Sequence, residues 1–230
     1  ENVIHLEFTP DPDQELPESH KLSTTGTVRS SVTVILTKGN YHRKTIYVSP
    51  TAVIGAPANG TKEFPYDIQT ALNNAYPGQT IILMEGTYKL NTALKIQRGM
   101  DGTPENPIRM IADPEATTRP VIDFQRLYDG FTHAGNYWYF YGFDVARSKD
   151  GQKGFQISGN YNVLDQIHTY ENGNTGIQLT RLNGADLKDD WPSYNLILNC
   201  TSYRNYDLGF EDADGFAAKL TVGEGNVFDG

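Results

Sequence analysis

The stretch YRNYDLGFEDADGFAAKLTVGEGN, from Tyr203 to Asn226, crowds Asp207, Glu211, Asp212 and Asp214 ahead of a short apolar strand, and Lys219 follows it. Carboxylates packed this closely repel one another unless a cation sits among them. Hard oxygen donors of this kind suit calcium, which takes about six to eight oxygens in a flexible shell. The same residues also read as a solvated acidic loop in which Asp214 starts a turn before Gly215. Outward alternation of Asp212 and Asp214 leaves open a third chemistry, glycoside hydrolysis, which needs paired carboxylates about 5 to 9.5 Å apart.

Other residues offer less. Asp189 and Asp190 beside Trp191 could line a sugar groove, but they lie in a polar insert and read as the tip of a tethered loop. In the run YWYFYGF from Tyr137, strand alternation sends Trp138 and Phe140 to one face and the tyrosines to the other, so core packing and a tyrosine stack account for it. His133 and His168 lack partners at metal or triad spacing and read as structural or surface residues. Cys200 aligns with Ile167 at an inward position, and as the only cysteine it excludes an internal disulfide and any multi-thiolate zinc site.

These groups sit in a chain of net charge -9. That balance argues against a nucleic-acid partner, because phosphate binding depends on Lys and Arg releasing counterions. It would also repel an acidic polymer, so a polyuronate substrate requires a bound cation or a local Lys cluster to reverse the field. No apolar run approaches the roughly 18 to 20 residues of a membrane span. The opening at Glu1, without an apolar leader, is what a processed secreted protein would show.

The elements that must hold the carboxylates are repeated. NVLDQIHTYEN from Asn162 and NLILNCTSYRN from Asn195 share an initial Asn, two apolar residues and a final Tyr-x-Asn. GFQISG from Gly154, GIQLTR from Gly176 and GFAAKL from Gly215 form a second repeated strand, and the excess between the last two is the polar insert Leu182 to Ser193. A period of roughly 20 to 30 residues without intervening helices is the mark of a stacked β-solenoid. Asn136, Asn162, Asn195 and Asn226 are candidates for a side-chain ladder, with Val163, Leu164, Leu196, Ile197, Val227 and Phe228 as interior neighbours. PYDIQTALNNAY predicts one helix over about 65–76, with Pro65 in its first turn and Ile68, Ala71, Leu72 and Ala75 as an apolar stripe that caps the open end of the coil. SVTVILTKG and RKTIYVSP read as strands joined by a turn at Gly39–Asn40, giving a small β-rich region over 1–49 and a solenoid over 50–230. The sequence stops in the middle of a rung, at Gly230, which predicts a coil without its C-terminal rungs and cap.

The run D-A-D-G-F-A-A-K followed by G-E-G-N-V-F resembles the signature of the family 9 polysaccharide lyases. STTGTV from Ser23, YVSP from Tyr47, PGQTIILMEGTY from Pro77, GNYWYFYGFDV from Gly135 and SYRNYD from Ser202 match in the same order. The resemblance implies an all-β, right-handed parallel β-helix that cleaves an acidic pectic polysaccharide, homogalacturonan or rhamnogalacturonan, by calcium-assisted β-elimination. It implies Asp214 as one calcium ligand and Lys219 as a substrate-binding charge. The remaining calcium aspartates and the catalytic lysine fall in stretches this sequence lacks, so no catalytic residue is expected before Gly230. A secreted, periplasmic or cell-surface bacterial protein acting as a monomer is implied as well. The competing reading is a non-catalytic solenoid that binds carbohydrate or forms a cell-surface module.

Overall fold

The computed structural model describes residues 43–230 together with the backbone of two strands, β1 (Asn2–Glu7) and β2 (Ser31–Leu36). By contacts the chain forms two units, Glu1–Gly39 and Asn40–Gly230. In the first, β1 and β2 pair antiparallel, with Asn2 opposite Leu36. The Gly39–Asn40 turn and the STTGTV stretch lie outside the described residues.

The second unit is a coil of three parallel sheets. The first sheet stacks β3 (Thr45–Val48), β4 (Thr80–Leu83), β7 (Ile108–Ala112), β10 (Trp138–Tyr141), β13 (Val163–Asp165), β16 (Leu196–Leu198) and β19 (Val227–Asp229). The second stacks β5 (Thr87–Lys89), β8 (Val121–Asp123), β11 (Asp144–Ala146), β14 (His168–Tyr170) and β17 (Thr201–Tyr203). The third stacks β6 (Leu94–Ile96), β9 (Phe131–His133), β12 (Phe155–Ile157), β15 (Ile177–Leu179) and β18 (Phe216–Ala218). From β4 to β18 each turn of the chain adds one strand to each sheet, the arrangement of a right-handed parallel β-helix.

RKTIYVSP supplies the first strand of the solenoid. β3 pairs in parallel with β4 because Ile46 and Val48 alternate into the solenoid core, where both are buried. The solenoid thus starts ahead of residue 50, and the region expected over 1–49 contributes its last strand to it.

The interior is a set of columns. Ile46, Ile81, Met110, Phe140, Leu164 and Ile197 lie in register down the first sheet, all buried. Phe131 stacks on Phe155 in the third sheet at 4.4 Å between ring centroids. Of the six expected interior neighbours of the ladder, only the second of each apolar pair points inward. Leu164 and Ile197 are buried, while Val163 and Leu196 face outward on the alternating strand and Val227 is half exposed. Phe228 is in register with Ile197 and is 43% exposed because, among the described residues, no further strand stacks on β19.

The helix is shorter than its apolar stripe predicts. α1 spans Ile68–Asn73, and Asp67, not Pro65, governs its start by accepting the Thr70 backbone N–H at 2.9 Å. Tyr66 is held extended by a bridge to Val48, so the backbone turns helical only beyond it. Ile68, Ala71 and Leu72 are buried where α1 packs on β3 and β6, the end strands of the first and third sheets. Among the described residues no helix is long and apolar enough to cross a membrane.

The asparagine ladder forms with one substitution of membership. Asn162 Oδ1 accepts the Trp138 N–H at 2.9 Å, Asn195 Oδ1 accepts the Asn162 N–H at 3.0 Å, and Asn226 Oδ1 accepts the Asn195 N–H at 3.0 Å. Asn136 belongs to a second row, in which its Oδ1 accepts the Asn160 N–H at 2.7 Å and Asn160 Oδ1 accepts that of Ser193 at 2.8 Å. A third row joins Ser148, Asn172 and Asn205, the last two being the ends of the repeated Tyr-x-Asn. Outside the ladders, Tyr137, Tyr161 and Tyr194 occupy corners at φ of 57°, 56° and 56° and stack on one another at 4.9 and 5.0 Å. That stacking offsets the cost of a left-handed backbone at a non-glycine residue.

Candidate active site

The third sheet positions the residues singled out in the sequence. Asp214 and Gly215 precede β18 and Lys219 follows it. The parallel ladder fixes the backbone on both sides, through Gly176 N–H to the Asp214 carbonyl at 2.9 Å and Lys219 N–H to the Leu179 carbonyl at 3.3 Å. The glycine one rung back is obligatory, since a Cβ on Gly176 would stand 2.0 Å from Ser202 Oγ.

Lys219 Nζ lies 2.8 Å from Asp212 Oδ1 and 2.7 Å from Asp214 Oδ2. The bonds to Asp212 and then Asp214 raise the Lys219 pKa, and the bond from Lys219 in turn lowers that of Asp212. Lys219 is thus held as an ammonium, the opposite of what a proton-abstracting lysine needs. The other carboxylates of the loop turn elsewhere. Asp207 Oδ1 accepts the Glu211 N–H at 3.0 Å within its own turn, and Glu211 is exposed.

Among the described residues no three carboxylate, imidazole or thiol groups converge. The two nearest carboxylates are already spanned by an ammonium, and a calcium shell takes about six to eight oxygens. The described residues of this rung therefore do not by themselves make a calcium site.

One residue of the site escapes the reading of the acidic run. Lys153 precedes Gly154 as Thr175 precedes Gly176 and Asp214 precedes Gly215, so the three occupy one position of successive rungs. The sequence signal is the residue immediately upstream of each repeated Gly strand. Lys153 is half-buried, and burial first, then the charge of Lys219, lowers its pKa. Between these positions the outer face of the sheet carries Thr132, Gln156, Gln178 and Ala217 in register.

The remaining candidates have structural partners. Asp186, in the insert, binds Arg98 at 2.9 Å and accepts the Leu182 and Asn183 N–H groups, both at 3.0 Å. Asp189 and Asp190 are exposed on the short 3-10 turn Lys188–Asp190 beside it, and Trp191 is half-buried. We expect Asp186→Ala to release the insert, seen as faster proteolysis between Leu182 and Ser193 with the solenoid left intact; unchanged cleavage would mean that the anchor is not Asp186. His133 is fully buried between Trp138 and Phe140, and His168 lies 3.6 Å from Asp144, which also binds Arg119 at 2.6 Å. Cys200 packs against the core and its Sγ accepts the Ile167 N–H at 3.4 Å, while burial pushes the thiol up to about 11.

With fold and site in place, the relatives can be set beside them. Residues 46–230 match the family described as "Pel9A-like, right handed beta helix region". The chain belongs to this Pel9A-like family. It is similar to "Pectate lyase L" of Thermoclostridium stercorarium, with 45% identity over all of this chain and 18% of that protein. The crystal structure of pectate lyase Pel9A superposes with a TM-score of 0.67 at 29% identity, covering 80% of this chain and 46% of the other. A structure named rhamnogalacturonan lyase shares the fold, with a TM-score of 0.63 at 22% identity over 82% of this chain and 51% of that one. The Pel9A-like chain thus spans about half or less of the length of each of these relatives.

Proposed function

We propose that this chain is part of a polysaccharide lyase that cleaves an acidic pectic polymer, homogalacturonan or rhamnogalacturonan, by β-elimination. The observation that carries the reading is the Asp212–Lys219–Asp214 cluster beside β18, on a coil whose family includes a relative named for pectate cleavage. In β-elimination a base removes the proton on C5 of a uronate and the glycosidic oxygen on C4 departs as the double bond forms. The site must hold the uronate carboxylate while negative charge develops next to it.

In this reading Lys219 binds the substrate carboxylate, exchanging one of its two aspartate partners for it. Asp214 is the residue through which a calcium ion would be anchored, with its other ligands supplied by parts of the longer protein that this chain does not span. When bound, the ion neutralises carboxylate charge. Lys219 is not the proton-abstracting base in this reading, since its neighbours hold it protonated; the family resemblance implies a base from outside these residues. A polymer substrate of this size implies a protein exported to, or displayed at, the cell surface.

The test is the absorbance of an unsaturated uronate in the longer protein containing this chain, incubated with polygalacturonate or rhamnogalacturonan, with calcium or chelator. The expected result is a calcium-dependent rise, reduced about a hundredfold by Asp214→Asn, the scale of losing one preorganised electrostatic group. A rise that survives the chelator and the substitution unchanged would remove Asp214 and calcium from the mechanism. No rise on either polymer would favour the non-catalytic binding module.

A further inference from the structure

The structure assigns a second uronate-binding position to Lys153, two rungs from Lys219 along the outer face of the third sheet, so that a polyuronate lies along the coil axis and not across it. This rests on the pectic reading above and extends it from one charge to a strip.

The geometry comes from the register. Phe155, Ile177 and Phe216 pair in sequence, which places Lys153, Thr175 and Asp214 in one column, and Ser158, Thr180 and Lys219 in another, on either side of the sheet face. Neighbouring strands lie about 4.8 Å apart, so Lys153 and the Asp214–Lys219 pair are separated by roughly 10 Å along the axis. Two residues of an extended uronate chain cover a similar span. The face between them is polar: Gln156 is half-buried and its Nε2 donates to Ser158 Oγ at 2.9 Å, while Gln178, in register with it, is buried. Such amides and hydroxyls suit sugar hydroxyl groups.

Partial burial without an ion pair sets Lys153 apart among the described lysines, since Lys44, Lys89, Lys95 and Lys188 also lack a carboxylate partner but are exposed. Lys62, Lys149 and Lys219 each have a carboxylate within salt-bridge distance. Lys153 has none among the described residues although it is half-buried, and the charge it feels most strongly is the like charge of Lys219. An ammonium held that way is stabilised by an incoming carboxylate more than a solvated one would be. In a chain of net charge -9, a pair of lysines on one strip also supplies the local reversal of field that an acidic polymer requires.

The experiment is titration of trigalacturonate into this chain by calorimetry, in low salt, with its methyl ester as the neutral probe. We expect Lys153→Gln to weaken binding about tenfold, the factor for one charge-assisted hydrogen bond, with Lys153→Arg close to the parent protein and the methyl ester unaffected by either change. The salt dependence of binding should flatten in Lys153→Gln. Unchanged affinity in Lys153→Gln, with the parent binding well, overturns the second position and leaves the pectic reading standing. Equal weakening by Gln and Arg overturns the charge assignment in favour of a packing role. Failure of the parent chain to bind trigalacturonate at all overturns the second position, while the pectic reading is decided separately by the unsaturated-uronate absorbance of the longer protein.

Discussion

Asn162→Leu is expected to destabilise the solenoid by about 4 kcal/mol, because two buried backbone groups lose their partners at once, each at a cost of about 1–3 kcal/mol. Asn162 Oδ1 accepts the Trp138 N–H at 2.9 Å and Nδ2 donates to the Gly135 carbonyl at 3.1 Å, in a residue with no solvent exposure. Leucine matches the size of the side chain and supplies neither group. The parallel ladder cannot compensate, since these corner groups lie beyond the paired register of β10 and β13. Asn160→Ala is the control. Asn160 Oδ1 accepts a single N–H, from Ser193, at a half-buried corner, so about 1 kcal/mol is expected. Denaturant midpoints of the two variants check the difference. A loss below about 1 kcal/mol in Asn162→Leu would show that relaxed corners or water replace the ladder.

The second large effect is acid destabilisation centred on His133. Burial holds its pKa at about 4, against 6.5 in an unfolded chain. The ring packs edge-on against Phe140 and Trp138 at 4.9 and 5.6 Å between centroids, with no exposed surface through which to solvate a charge. Above pH 6.5 both states are neutral here and the full stability is present. As pH falls from 6.5 to about 4 the unfolded chain takes up the proton and the folded chain does not, so stability is lost across that window. The gap corresponds to about 3 kcal/mol at roughly 1.4 kcal/mol per tenfold change. His133→Leu, which cannot ionise, should flatten the dependence of the unfolding midpoint on pH between 6.5 and 4. An equally steep dependence in that variant would assign the acid sensitivity of this window to another histidine such as His168, whose pKa is lowered by burial and then by Arg119.

Both predictions concern features whose components are visible in the residues but whose partners are not. The Asn at the head of NVLDQIHTYEN and NLILNCTSYRN marks a corner by its repetition, and the alternation of YWYFYGF separates inward rings from outward tyrosines. Neither fact reveals that Asn136 stacks on Asn160 instead of Asn162, because two asparagines separated by one tyrosine are equivalent candidates until the rungs are laid on each other. Pro65 suggested a helix start for the same reason. Its local preference is real, but the bridge from Tyr66 to Val48 keeps the chain extended past it. Lys153 was obscured because the acidic run draws attention to its own loop, while the lysine belongs to the site only through the column it shares with Asp214.

The sequence by itself determined the rung: short β-branched and aromatic strands, glycines where backbones crowd, asparagines where a corner needs an amide, and the acidic run beside one strand. These are local requirements, met within a few residues. Tertiary structure decided which rung position lies above which, because successive corners of the ladder are 24, 33 and 31 residues apart and no fixed count can align them. Stacking of side chains and the parallel hydrogen-bond ladder set that register, absorbing unequal lengths in loops such as the insert from Leu182 to Ser193. Lys153, Asp214 and Lys219 share one surface because strands close to 4.8 Å apart bring them there, whatever the length of chain between them.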